Sequence, residues 1–130
     1  MQKGVFFANV APMPGAAEAV AALSERHEVF VATAAMEYPA SCAHKVAWMA
    51  RHLPMVDPLN LVLCGDKSIV AADVLIDDSP RHFDGFAGAG VCFTALHNMG
   101  AEVAWRLDRW PDAAALLDRI AAETAREAVA

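Results

Sequence analysis

Residues 72–80 read ADVLIDDSP. Val74, Leu75 and Ile76 form a short apolar run without polar alternation, the pattern of a strand covered on both faces. The run ends on two adjacent carboxylates, Asp77 and Asp78, followed by the turn formers Ser79 and Pro80. Neighbouring carboxylates repel, and leading an apolar strand straight into them is costly unless a cation compensates. The stretch therefore predicts a buried strand with a charged group at its carboxyl end.

Similar runs lie on both sides of it. Upstream are Glu28 to Ala34 (EVFVATA) and Leu59 to Cys64 (LNLVLC), the second stopped by Gly65. Downstream is Gly90 to Thr94 (GVCFT). Helical spacing of apolar residues fills the intervals. It predicts helices over Ala16 to Arg26, after the turn signal Pro12-Met13-Pro14-Gly15, and over Ser41 to His52. A third runs from Pro111 to Ala128, with Asp108 upstream as a cap. Short apolar strands alternating with helices predict an α/β fold with a mainly parallel sheet covered by helices. No internal repeat or low-complexity linker interrupts the pattern, and one domain over residues 1–130 is expected.

Bulk properties narrow the function classes. The chain is 57% apolar, which suits a packed core and not a disordered segment. Its formal net charge of −6 argues against nucleic acid as the main partner. No stretch approaches the ~18 uninterrupted apolar residues of a membrane span. Met1 to Val10 carries one positive charge and does not read as a secretion signal. Cys42, Cys64 and Cys92 are odd in number and far apart. They are expected to be buried, reduced thiols of a cytoplasmic protein.

In parallel sheets the working residues gather at the carboxyl ends of the strands. Here those ends carry Thr33-Ala34, Cys64-Gly65-Asp66-Lys67, Asp77-Asp78-Ser79-Pro80 and Thr94-Ala95. A hydroxyl, an ammonium and two carboxylates suit a phosphoryl group and a hard divalent ion such as Mg²⁺. Each alone has an ordinary reading, as a strand-end threonine, a loop lysine or turn-forming aspartates. Their order, each at a strand end, is what points to a site. Met36, Glu37 and Tyr38 follow Thr33 near its mouth, or form a surface loop. Ser79 faces the site and can make a polar contact to phosphate or metal-bound water. His27, His44, His52, His82 and His97 are scattered and form no histidine metal pair. Trp48 is expected in the core, and Trp105 and Trp110 over the sheet edge.

The segments VFVATAAMEYP (29–39), LCGDKSIV (63–70) and ADVLIDDSP (72–80) resemble three successive motifs of the haloacid-dehalogenase superfamily. Within it, the chain is similar to the 5'(3')-deoxyribonucleotidase group. The connecting segments GVFFANVAPMPGAAEAV (4–20), KVAWMARHLP (45–54) and VCFTALHN (91–98) carry the likeness further, from about Gly4 to Trp110. The resemblance implies a Rossmann-type three-layer sandwich and Mg²⁺-dependent hydrolysis of a phosphomonoester, most simply a deoxynucleoside monophosphate. It implies that Thr33, Ala34 and Lys67 hold the phosphoryl oxygens and that Asp77 and Asp78 hold the metal, directly or through water.

The family's first motif is an Asp-x-Asp triplet that supplies the nucleophile and the general acid, on a central strand followed by a small cap. No Asp-x-Asp triplet occurs in these 130 residues, and their first aspartate is Asp57. The expectation is therefore a family core without its first strand and cap, inactive alone. The competing reading is a non-catalytic remnant that binds a phosphate ligand or a partner. The place of the central strand is expected to be filled by pairing of the two flanking strands, by Val5 to Val10, or by a second copy or partner chain.

Overall fold

Gly15 starts the first described helix because it can adopt φ 77°, a left-handed conformation that strains any residue with a Cβ. The computed structural model describes residues 11–129 and divides after Lys67 into two compact units.

In the first unit, α1 spans Ala16–Ser24. It stops two residues short of the predicted end. The Glu25 and Arg26 N–H groups turn to the carbonyls of Ala22 and Leu23, at 3.3 and 3.1 Å, tightening the last turn. Strand β1 is Val31–Thr33, and β2 is Leu61–Leu63. They pair in parallel, Val31 with Leu61 and Thr33 with Leu63. Parallel partners need a crossover connection. It is made here by α2, Cys42–His52, entered through 3₁₀ turns at Ala35–Glu37 and Pro39–Ser41. Asp57 opens a further 3₁₀ turn by accepting the Leu59 N–H at 2.9 Å, and Asn60 Nδ2 ties that turn to the Val29 carbonyl at 2.9 Å. Val20, Leu53 and Val56 form the core of this unit, with Trp48 and Met49 packed against it.

The second unit is a three-stranded sheet in the order β3-β4-β5, with β3 Val74–Asp77, β4 Ala89–Phe93 and β5 Trp105–Leu107. Both pairings are parallel, with Asp77 opposite Cys92 and Phe93 opposite Leu107. The chain returns to β4 so closely under Asp73 that a Cβ on Gly88 would lie 2.4 Å from the Asp73 carbonyl oxygen. Only glycine fits there. Helix α3, Ala113–Val129, follows a 3₁₀ turn at Trp110–Asp112. Val91, Cys92, Leu107 and Ala113 are almost wholly buried.

Several expectations change. β5 was not predicted, and Trp105, expected over the sheet edge, is a residue of that strand, paired with Val91. Trp110 instead stacks on Phe93 of the middle strand, ring centroids 5.0 Å apart. The 3₁₀ turn that leads into α3 has Arg109, not Asp108, at its N-cap position. The Asp108 carboxylate accepts the Thr94 hydroxyl at 2.5 Å. Cys64 and Cys92 are buried free thiols as expected, but Cys42 is only half-buried. The described strands form two sheets, β1-β2 in the first unit and β3-β4-β5 in the second. Val5 to Val10, one expected occupant of the central position, lies outside the described residues. Among the described residues no helix is long and apolar enough to cross a membrane.

Leu107 is 1% exposed and Leu96 is 92% exposed. Leu107→Ala should lower the free energy of unfolding by about 2–5 kcal/mol. Leu96→Ala should change it by less than about 0.5 kcal/mol. Urea titration followed by circular dichroism measures both.

Candidate functional site

At the carboxyl edge of the β1–β2 pair, Thr33 ends β1 and Lys67 lies just beyond the end of β2. The Thr33 backbone is fixed, because its carbonyl accepts the Cys64 N–H at 2.9 Å. Its side chain is fixed as well. Lys45 Nζ, on α2, donates to Thr33 Oγ1 at 3.0 Å. An ammonium can only donate, so Oγ1 is the acceptor and the hydroxyl hydrogen is left to donate elsewhere. Ala34 and Lys67 are half-buried. Lys67 opens a 3₁₀ turn, Lys67–Ile69. Met36, Glu37 and Tyr38, in the turn after Thr33, are exposed, which agrees with their surface reading.

Lys45 was not singled out as a site residue. One signal was available. A cation at the fourth residue of a helix opposes the positive end of the helix dipole, so such a placement needs a compensating acceptor. Here Thr33 Oγ1 is one such acceptor.

The second unit carries the acidic pair, and its two members differ. Asp77 ends β3 with its side chain 5% exposed. One carboxylate oxygen accepts the Ser79 N–H at 2.9 Å, and the other lies 3.0 Å from His82 Nδ1. An ionised Asp77 can only accept, so Nδ1 of His82 carries the hydrogen of that bond. The charge at the end of the apolar strand is thus met in part from within the loop. His82, read from the sequence as one of five scattered histidines, is the residue that does this.

Asp78 is the outward member, its side chain 57% exposed. Ser79 Oγ approaches its carboxylate at 3.4 Å. The Asp78 backbone carbonyl is held from the opposite side by Asn98 Nδ2 at 2.8 Å and His97 Nε2 at 2.9 Å. Mg²⁺ takes one or two carboxylates and completes its shell with water and phosphate oxygens. Asp78 fits such an ion as a single exposed oxygen donor. Among the described residues no group of three or more His, Cys, Asp and Glu could hold a metal alone.

Comparison with known proteins shows which family the chain resembles. The family described as 5' nucleotidase, deoxy (pyrimidine), cytosolic type C protein matches residues 1–124. A Staphylococcus aureus (strain Mu50) protein named "Putative 5'(3')-deoxyribonucleotidase" is 43% identical over 107 residues, covering 82% of this chain and 59% of the relative. The 5'(3')-deoxyribonucleotidase of Bacillus subtilis (strain 168) is 32% identical over 106 residues, covering 82% of this chain and 62% of the relative. The chain therefore spans about three fifths of the length of these curated relatives.

The unequal roles of the two aspartates can be measured. Asp77→Ala leaves the Ser79 N–H and His82 Nδ1 without their acceptor and should cost about 1–3 kcal/mol of stability. Asp78→Ala should change stability by less than about 0.5 kcal/mol. Chemical denaturation of both variants at neutral pH provides the comparison.

Proposed function

The chain belongs to the 5' nucleotidase, deoxy (pyrimidine), cytosolic type C family of haloacid-dehalogenase type, and from that premise we propose that it is the phosphate- and cation-binding part of a Mg²⁺-dependent phosphomonoester hydrolase acting on deoxynucleoside monophosphates. The observation that carries the reading is the succession of Thr33, Lys67 and Asp77-Asp78 at or just beyond the carboxyl ends of β1, β2 and β3.

Each residue has a role its chemistry can perform. Thr33 donates its hydroxyl hydrogen to a phosphoryl oxygen, with Lys45 holding Oγ1 in place. The Ala34 backbone borders the same oxygens. Lys67 offsets charge that builds up on the phosphoryl group, an effect that mutagenesis in other enzymes puts at about 100–1,000-fold in rate for one donor. Asp78 offers an oxygen to Mg²⁺, and Asp77, which holds the loop in shape through Ser79 and His82, serves the ion directly or through water. The ion, when bound, neutralises phosphate charge and orients an oxygen of the substrate.

Covalent phosphoryl transfer also needs a nucleophile in line with the leaving oxygen. The family's Asp-x-Asp triplet is absent from these 130 residues, so we propose that this sequence alone does not turn over. The same absence favours the second reading, a phosphate-binding or interaction domain without turnover. Free thiols at all three cysteines support a cytoplasmic setting. A second copy or a partner chain supplying a strand belongs to the same proposal.

Phosphate release from thymidine and deoxyuridine monophosphates, with and without Mg²⁺, tests the function. The 130-residue chain should release none. Joined to the Asp-x-Asp strand and cap of a relative, it should show Mg²⁺-dependent release that Lys67→Ala lowers about 100-fold or more. Mg²⁺-dependent release by the chain alone would contradict the account, and a joined protein indifferent to Lys67 would do the same.

A further inference from the structure

Asn98 is 2% exposed and uses its whole side chain. Nδ2 donates to the Phe93 carbonyl at 2.7 Å and to the Asp78 carbonyl at 2.8 Å. Oδ1 accepts the Ala95 N–H at 2.9 Å and Arg106 NH1 at 3.1 Å. A side-chain amide has two donor hydrogens and two acceptor positions, and all four are engaged. Asn98 therefore has no rotational freedom to trade, and it bridges the end of β4 to the loop that follows β3.

Arg106, on β5, fixes Asn98 from behind. Besides the bond to Oδ1, NH1 donates to Thr94 Oγ1 at 3.2 Å, and NH2 donates to the carbonyls of Asn98 and Ala101 at 3.0 and 3.1 Å. A planar guanidinium presents these donors in a rigid fork, which an ammonium cannot copy. Thr94 in turn donates to the Asp108 carboxylate. The chain of contacts runs from the end of β5, through Asn98, to the backbone of Asp78. A backbone carbonyl and the side chain of the same residue leave Cα in different directions. Pinning the Asp78 carbonyl inward therefore limits where its exposed carboxylate can point.

We propose that Asn98, braced by Arg106, is a positioning residue that sets the direction of the Asp78 carboxylate and thereby its affinity for a divalent cation. The inference rests on the assignment of Asp78 as a cation ligand. Groups that orient a ligand without touching the metal commonly change affinity by about 10–100-fold when altered. His97 Nε2 also reaches the Asp78 carbonyl at 2.9 Å and lies 3.9 Å from its carboxylate, but its side chain is 58% exposed where Asn98 is buried.

The test uses the 130-residue chain with Mn²⁺ as a paramagnetic probe, read by broadening of the Ser79 amide resonance. The carbonyl ¹³C shift of Asp78 is recorded alongside it. Asn98→Asp keeps the shape and the acceptor but loses both N–H donors. It should raise the half-point of broadening about 10–100-fold and move the Asp78 carbonyl upfield, while resonances of residues 11–67 stay in place. Arg106→Lys should act in the same direction and more weakly. A folded Asn98→Asp chain with an unchanged half-point overturns the proposal. Should that variant fail to fold, an unchanged half-point in Arg106→Lys overturns it. Asp78→Asn separates the two assignments. If Mn²⁺ leaves Ser79 unaffected in the unsubstituted chain, or acts equally on Asp78→Asn, cation binding by Asp78 is refuted. An Asp78 carbonyl shift that Asn98→Asp does not alter then refutes the positioning role as well.

Discussion

Parallel hydrogen bonding between short strands is the constraint on which the rest of the molecule depends. Two parallel strands run the same way, so their carboxyl ends emerge on the same edge, and each must be followed by a crossover before the next can pair. In the first unit this brings the chain after Thr33 and the chain after Leu63 out together. In the second it does the same for Asp77, Phe93 and Leu107 and the loops they feed. The polar residues of those loops then meet. Thr94 reaches Asp108, and Asn98 reaches back to Asp78.

Charge at these edges is handled locally. A buried carboxylate is tolerated when donors surround it, and Asp77 has a backbone N–H and an imidazole N–H. A lysine near a helix start is tolerated when an oxygen accepts it, and Lys45 has Thr33 Oγ1. Asp78 differs in degree, because its carboxylate is more than half exposed, with Ser79 Oγ at 3.4 Å and His97 Nε2 at 3.9 Å beside it, while its backbone carbonyl is held by Asn98. An exposed acidic oxygen on a fixed backbone suits an ion that must also bind water and substrate.

The alternation of strands and helices was legible in the sequence because the first four strands are apolar on both faces. Their lengths were not. Glu28 to Ala34 reads as seven strand-like residues, yet among the described residues only Val31–Thr33 pair, in register with the three residues of β2. β5 was illegible because WRL is three residues long and carries a charge in its middle. The strand-end residues Thr33, Lys67, Asp77 and Asp78 stood out because chemistry and position coincide in each. Their supporting residues did not. Lys45 lies 12 residues from Thr33, and Asn98 lies 20 from Asp78. Such contacts exist only once the strands have set the distances. His82 is nearer, five residues from Asp77. Its contact still depends on how the 3₁₀ turn at Pro80–Phe83 folds back, which composition does not specify.

The central claim is that Thr33 and Lys67 recognise phosphate and that Asp78 recognises a divalent ion. The most direct measurement is a titration of the ¹⁵N-labelled chain with inorganic phosphate and then Mg²⁺, followed residue by residue. The account predicts saturable shifts at Thr33, Ala34 and Lys67 on adding phosphate, and at Asp78 and Ser79 on adding Mg²⁺. Shifts confined to other residues, or none at saturating concentrations of both, would contradict it.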